Sequence, residues 1–174
     1  MQYVQFGSFF LSLTMDELLK QFSKEKILEY FEKSVIFENE NKEYSKRAIF
    51  AYWDRDYLVS SHLFNPLIEN GVRELMKIAN GVWIDVNELN GYNILTLSKL
   101  LWNQRNIEIF ENTFSKSGQD LLFYLRLVLI EKLGMNLRND FAHGLGKKKF
   151  FGRDASDRLF HILIWLSVVR KKEK

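Results

Sequence analysis

An all-α fold is predicted by three features of the sequence: a single Pro and nine Gly in 174 residues, an abundance of good helix formers, and apolar residues that recur at helical spacing. Hydrophobic residues make up 47% and charged residues 27%, the composition of one globular domain that can bury its own core. The first helix opens at Thr14, with Glu17 completing a capping box, and carries Leu18, Leu19, Phe22, Ile27, Leu28 and Phe31. Residues 39–44 are polar and read as a loop. Ala48, Ile49, Tyr52 and Trp53 then repeat at helical spacing up to about residue 63, which gives a second helix. Asn65-Pro66 suits a cap followed by a helix-starting proline, and Leu67, Ile68, Val72, Leu75, Met76 and Ala79 form the stripe of a third helix ending before Gly81.

Two short β-prone stretches flank Asn90-Gly91, so a small hairpin is expected around residues 82–95. Helical pattern resumes at about residues 97–101 and 106–114, and Ser117-Gly118 breaks it. From Gln119 the run Leu121, Leu122, Leu125, Val128, Leu129 and Leu133 is apolar on most sides, which marks a central helix that Gly134 ends or kinks. The last helix begins at Asp154 or Ser156 and buries Leu159, Ile162, Leu163, Leu166 and Val169. It ends in Arg170-Lys171-Lys172, cations that suit the negative end of its dipole. Trp53, Trp83, Trp102 and Trp165 are scattered, and core packing is their default reading.

The chain has no Cys, which excludes a disulfide framework, a thiolate zinc site and a cysteine nucleophile. A reducing, cytoplasmic compartment fits. Residues 1–13 lack the positive region and cleavage site of a secretory signal, and the apolar run 159–169 is shorter than the roughly 20 residues a membrane span needs, so no membrane partner is expected. The net charge of +3 is unevenly spread: residues 134–174 hold 10 Lys or Arg against 4 Asp or Glu, so this quarter carries +6 and the remainder −3. A basic cluster attracts polyanions such as nucleic acid; a solvated loop and a basic tail are the bland alternative.

Chemistry concentrates in Gly134-Met135-Asn136-Leu137-Arg138-Asn139-Asp140-Phe141-Ala142-His143-Gly144. A helix over residues 137–143 would be anchored by Leu137 and Phe141, one turn apart, and stopped by Gly144. Arg138 and His143 would then stand about 140° apart round an ideal helix. They converge only if the turn is distorted, if the Arg138 side chain curls back, or if a two-fold partner supplies the opposing group.

The string Arg138-Asn139-Asp140-Phe141-Ala142-His143-Gly144 resembles the Arg-Asn-x-x-x-His-Gly signature of a domain of unknown function found in bacteria and many eukaryotes. That domain is similar to the HEPN superfamily, whose mark is an Arg, a polar residue, spacers and a His. Upstream, His62-Leu63-Phe64-Asn65-Pro66-Leu67-Ile68-Glu69-Asn70-Gly71-Val72-Arg73-Glu74-Leu75 resembles the same family's His-Leu-x-x-Pro-x-x-Glu-x-x-x-Arg helix, with Asn65 where an aliphatic residue is usual.

The resemblance implies an all-α, HEPN-like helical bundle over about residues 45–172 within a single domain, with residues 1–44 as a helical extension. It also implies metal-independent RNA cleavage, in which the 2′-OH attacks the adjacent phosphate to leave a cyclic phosphate and a free 5′-OH. The side chains suit that chemistry. His143 is the candidate for proton transfer near neutral pH, and Arg138 offers a fork of donors to the phosphate oxygens. Asn139 would orient either group or contact the nucleotide. Lys147, Lys148, Lys149 and Arg153 are suited to phosphate contacts; Phe150 and Phe151 can stack on bases, although two adjacent aromatics are more often one core anchor and one exposed ring.

Glu69 and Arg73 are four apart on one helix, where the plain reading is a surface ion pair worth about 0.3–0.5 kcal/mol. The family likeness makes them second-tier site residues, together with Asp140. His62 and His161 lack a partner at metal-ligand spacing and read as structural. No metal and no cofactor is expected. One imidazole cannot act as base and acid at once, so a homodimer that brings two motifs face to face is expected, and the resemblance admits an antitoxin or nucleotidyltransferase as controlling partner. RNA is the expected substrate, in the setting of a toxin or antiphage effector. The alternatives are a non-catalytic HEPN-like module that binds RNA or a nucleotide, and a helical dimerisation module.

Overall fold

The computed structural model describes residues 2–37, 42–86, 91–144 and 152–170. The fold is all-α with one small hairpin. Its elements are α1 (Gln2–Gln21), α2 (Lys24–Glu32), α3 (Lys42–Trp53), α4 (Tyr57–Ile78), β1 (Ile84–Val86), β2 (Tyr92–Ile94), α5 (Leu97–Trp102), α6 (Gln104–Phe114), α7 (Gly118–Leu129), α8 (Leu137–His143) and α9 (Arg153–Leu166). The expected small hairpin is present, and its strands pair antiparallel with Ile84 opposite Ile94. Among the described residues no helix is long and apolar enough to cross a membrane.

Helix α4 is the spine, packed between α3 and α9. Its apolar stripe, including Phe64, Leu67, Ile68, Val72, Leu75 and Met76, is buried. At the centre Phe160 of α9 lies parallel to Phe31 and Phe64, with ring centroids 6.0 and 5.4 Å away, and meets Tyr52 at 4.5 Å. Close approach is helped at Gly71, where an added Cβ would come within 3.1 Å of the Phe37 ring.

Helix α1 is fastened to α9 by polar groups. Asp157, fully buried, accepts from the Tyr52 hydroxyl at 2.6 Å, the Ser12 hydroxyl at 2.8 Å and Arg153 Nε at 3.3 Å. Burial, and then the Asp157 carboxylate, push the Tyr52 hydroxyl far above its usual range, so it stays a donor. Arg158 Nη2 adds a bond to the Ser8 hydroxyl at 2.6 Å. Met15, Ile27, Phe31, Ile36 and Phe37 join the same core, so the N-terminal segment is built into the bundle it was expected to extend.

Several predicted boundaries move. Thr14 is not a cap: it lies inside α1 and its hydroxyl donates back to the Phe10 carbonyl, while the break falls at Ser23, which caps α2 by accepting from the Lys26 amide. Asn65-Pro66 does not start a helix either. The start lies at Asp56, whose carboxylate accepts from the Val59 amide at 3.1 Å, and α4 runs through Pro66. The second predicted helix is accordingly divided between α3 and the first turns of α4. Helix α7 stops at Leu129, so Leu133 is fully exposed in the turn beyond it. Trp102 is 55% exposed, where core packing was the default; the Arg126 guanidinium lies over its face at 3.8 Å.

Candidate functional site

The site begins where α7 ends. The chain doubles back so that the Met135 amide donates to the Leu127 carbonyl at 2.9 Å. A side chain at Gly134 would collide with that carbonyl, so glycine is required for the reversal. Asn136 follows in the left-handed region, φ 51°, and launches α8. Leu137, fully buried, pins the helix to the core, a contribution of about 1.5–3 kcal/mol. Gly144, φ 62°, closes it by donating to the Asp140 and Phe141 carbonyls. The helix over residues 137–143, its Leu137 anchor and its glycine stop match the sequence reading.

This placement lays α8 against α4 so that the two motif segments meet. Arg138 Nε donates to Glu69 Oε2 at 3.3 Å, and Arg73 Nη2 donates to Glu69 Oε1 at 3.1 Å, so one carboxylate is shared by two guanidiniums. Arg138 Nη1 also donates to Asn139 Oδ1 at 3.3 Å, Asn139 Nδ2 to Asn136 Oδ1 at 2.7 Å, and Asn136 Nδ2 to Asp140 Oδ1 at 3.3 Å. Arg138 is thereby held at two points, and no described residue takes its Nη2 donors. At the other end of the contact the Phe141 ring meets the His62 ring nearly at right angles, with centroids 4.7 Å apart.

Between these pairs lies an open groove of about 250 Å³, lined by His62, Asn65, Glu69, Arg138 and Phe141 among others. Its size is near the roughly 300 Å³ lower end of ligand clefts. Asn65 is only 8% exposed, yet its side-chain oxygen has no donor among the described residues. A buried acceptor left unmet costs about 1–3 kcal/mol, so Asn65 weakens the packing behind the groove wall. The two charged residues that line the groove, Glu69 and Arg138, balance each other, and Arg73 behind Glu69 leaves the cluster with one positive charge.

The predicted residues do not all gather here. Arg138, Asn139, Asp140, Glu69 and Arg73 form one network. His143 is exposed at the end of α8 and is not among the residues lining the groove. Lys147, Lys148, Lys149, Phe150 and Phe151 lie outside the described residues. Arg153 sits in the α1–α9 contact, where Asp16 at 2.6 Å, Asp157 at 3.3 Å and the Ser12 carbonyl at 3.0 Å take up its donors.

Sequence reasoning set His62 aside, yet His62 is the imidazole that lines the groove with Arg138. The signal was present: residues 62, 65, 69 and 73 recur every three or four positions and so share one helical face. Taking Pro66 as a helix start hid it. His161 lines a separate cavity of about 220 Å³ with Tyr124 and Trp165. There Trp165 Nε1 donates to its Nε2 at 3.1 Å, and burial, then Arg158, hold its pKa below the usual imidazole range. Among the described residues no three His, Asp or Glu are grouped so as to hold a metal ion.

Compared with protein-family models, with curated proteins and with solved structures, the chain matches none at a significant level.

Proposed function

We propose that the groove between α4 and α8 is the working site of a metal-independent endoribonuclease. The observation that carries this reading is the Arg138–Glu69 ion pair, which joins the two sequence segments that resemble HEPN proteins at a single groove. Arg138 is the group for the scissile phosphate: Glu69 and Asn139 hold it in place while its Nη2 donors remain for non-bridging oxygens. His143 is the proton donor and acceptor presented at the helix end. Because its imidazole stands outside the groove of its own chain, a two-fold homodimer that sets His143 of one protomer against the Arg138 groove of the other completes the site. Asp140 orients Asn136 and, through it, Asn139.

The test is digestion of single-stranded RNA of mixed sequence by purified protein in EDTA. Wild type is expected to leave a cyclic phosphate and a 5′-OH, and Arg138→Ala and His143→Ala are expected to lose at least about 100-fold in rate while keeping the helical circular dichroism of wild type. Intact RNA with wild type rejects the reading.

A second reading is favoured by the same ion pair. Glu69 already neutralises much of Arg138, which suits a groove that binds a nucleotide phosphate without cutting. In that case Arg138→Ala weakens RNA binding in wild-type-like protein that shows no cleavage to lose.

A further inference from the structure

We infer that His62 is the general base of this site, the group that takes the proton from the ribose 2′-OH. The inference rests on the ribonuclease reading above and supplies, within one protomer, the second imidazole that such a reaction needs.

Placement is the first argument. His62 from α4 and Arg138 from α8 line one groove, whereas His143 is not among its lining residues. Seven positions separate His62 from Glu69, a rise of about 10 Å along the helix, and Arg138 is held at the Glu69 end. The imidazole therefore projects from α4 two turns before the carboxylate that holds the guanidinium, and both line the groove.

A backbone carbonyl also fixes the tautomer of His62. His62 Nδ1 lies 2.8 Å from the Leu58 carbonyl oxygen, which can only accept, so Nδ1 carries the proton and the neutral ring has its basic nitrogen at Nε2. The edge-on Phe141 ring restrains the imidazole plane. Glu69 from α4 and Arg138 from α8 are the charged groups lining the same groove. Asn65, on the same face of α4, lines the wall between them.

In the reaction the 2′-oxygen attacks phosphorus as its proton passes to His62. The bond from phosphorus to the 5′-oxygen breaks, and the leaving oxygen takes a proton from His143 of the other protomer. Arg138 steadies the charge on the non-bridging oxygens. The products are a 2′,3′-cyclic phosphate and a 5′-OH.

The experiment compares wild type, His62→Ala and His62→Gln for RNA cleavage across pH, and for binding of a 2′-O-methyl RNA that cannot be cut. A base works only when deprotonated, so the rise of rate with pH on the acid side should vanish in both variants, with cleavage falling about 100-fold or more. Added imidazole should restore part of the activity of His62→Ala, and binding of the 2′-O-methyl RNA should hold. Wild-type rates with an unchanged pH profile overturn the inference, as does a loss of cleavage matched by an equal loss of binding. If Arg138→Ala and His143→Ala silence the enzyme while the His62 variants stay active, the ribonuclease reading stands and this inference alone falls. If wild type cuts no RNA, both fall.

Discussion

Glu69 and Arg138 are 69 positions apart in the chain, and an oxygen of one accepts from the Nε of the other at 3.3 Å, with both side chains largely shielded. That contact closes the α4–α8 groove at one end.

Removing Glu69 leaves Arg73 and Arg138 as two guanidiniums without their shared carboxylate. Glu69→Ala should lower stability by about 1–3 kcal/mol in urea unfolding. In a double-mutant cycle with Arg138→Ala the coupling should be about 0.5–3 kcal/mol. Additive effects of the two substitutions would show that the pair does not hold α8 to α4.

Pro66 lies in the middle of α4, where it removes the hydrogen bond that would reach the His62 carbonyl and presses its ring against that group. Pro66→Ala restores the missing donor, and the side chain it deletes is exposed. Stability should therefore rise, by about 1–3 kcal/mol, read as a higher urea midpoint at unchanged slope. A lower midpoint would mean that the proline ring supports the groove wall more than the lost bond weakens the helix.

His161 gives a pH signature. Its folded-state pKa is depressed by burial and then by Arg158, so the unfolded chain binds the proton more readily than the folded one. Stability should be constant above pH about 7 and fall as pH drops through about 6.5 toward the lower folded-state value. Denaturation curves of wild type and His161→Gln between pH 5 and 8, about the range in which imidazoles titrate, check this. An equal pH slope in both proteins would exclude His161 as its source.

Helix α8 was legible because its signals are local: Leu137 and Phe141 are one turn apart, and Gly144 can take the left-handed conformation that stops the helix. The hairpin was legible for the same reason. Proline misled, because Asn65-Pro66 satisfies every local rule for a helix start while the packing of Phe64, Leu67 and Ile68 into the core carries α4 straight through it. Leu133 looked like a core residue by type, but the reversal that Gly134 permits turns it to solvent. The Arg138–Glu69 pair was only half visible, each residue lying in a segment with a family likeness but with nothing local to join them. The place of His62 beside the groove was not legible because it depends on α8 crossing α4, a contact made 79 positions along the chain at Phe141.

The clasp between α1 and α9 bears on where this chain can be divided. A fragment starting at residue 45 would keep every side chain of the groove, yet it would strip Asp157 of the Ser12 hydroxyl, Arg153 of Asp16 and Arg158 of Ser8. The core positions filled by Met15, Phe31 and Phe37 would be vacated as well. Residues 2–37 thus act as a brace for the spine from which His62 and Glu69 project, and trimming them would loosen the scaffold while leaving the groove lining in the chain.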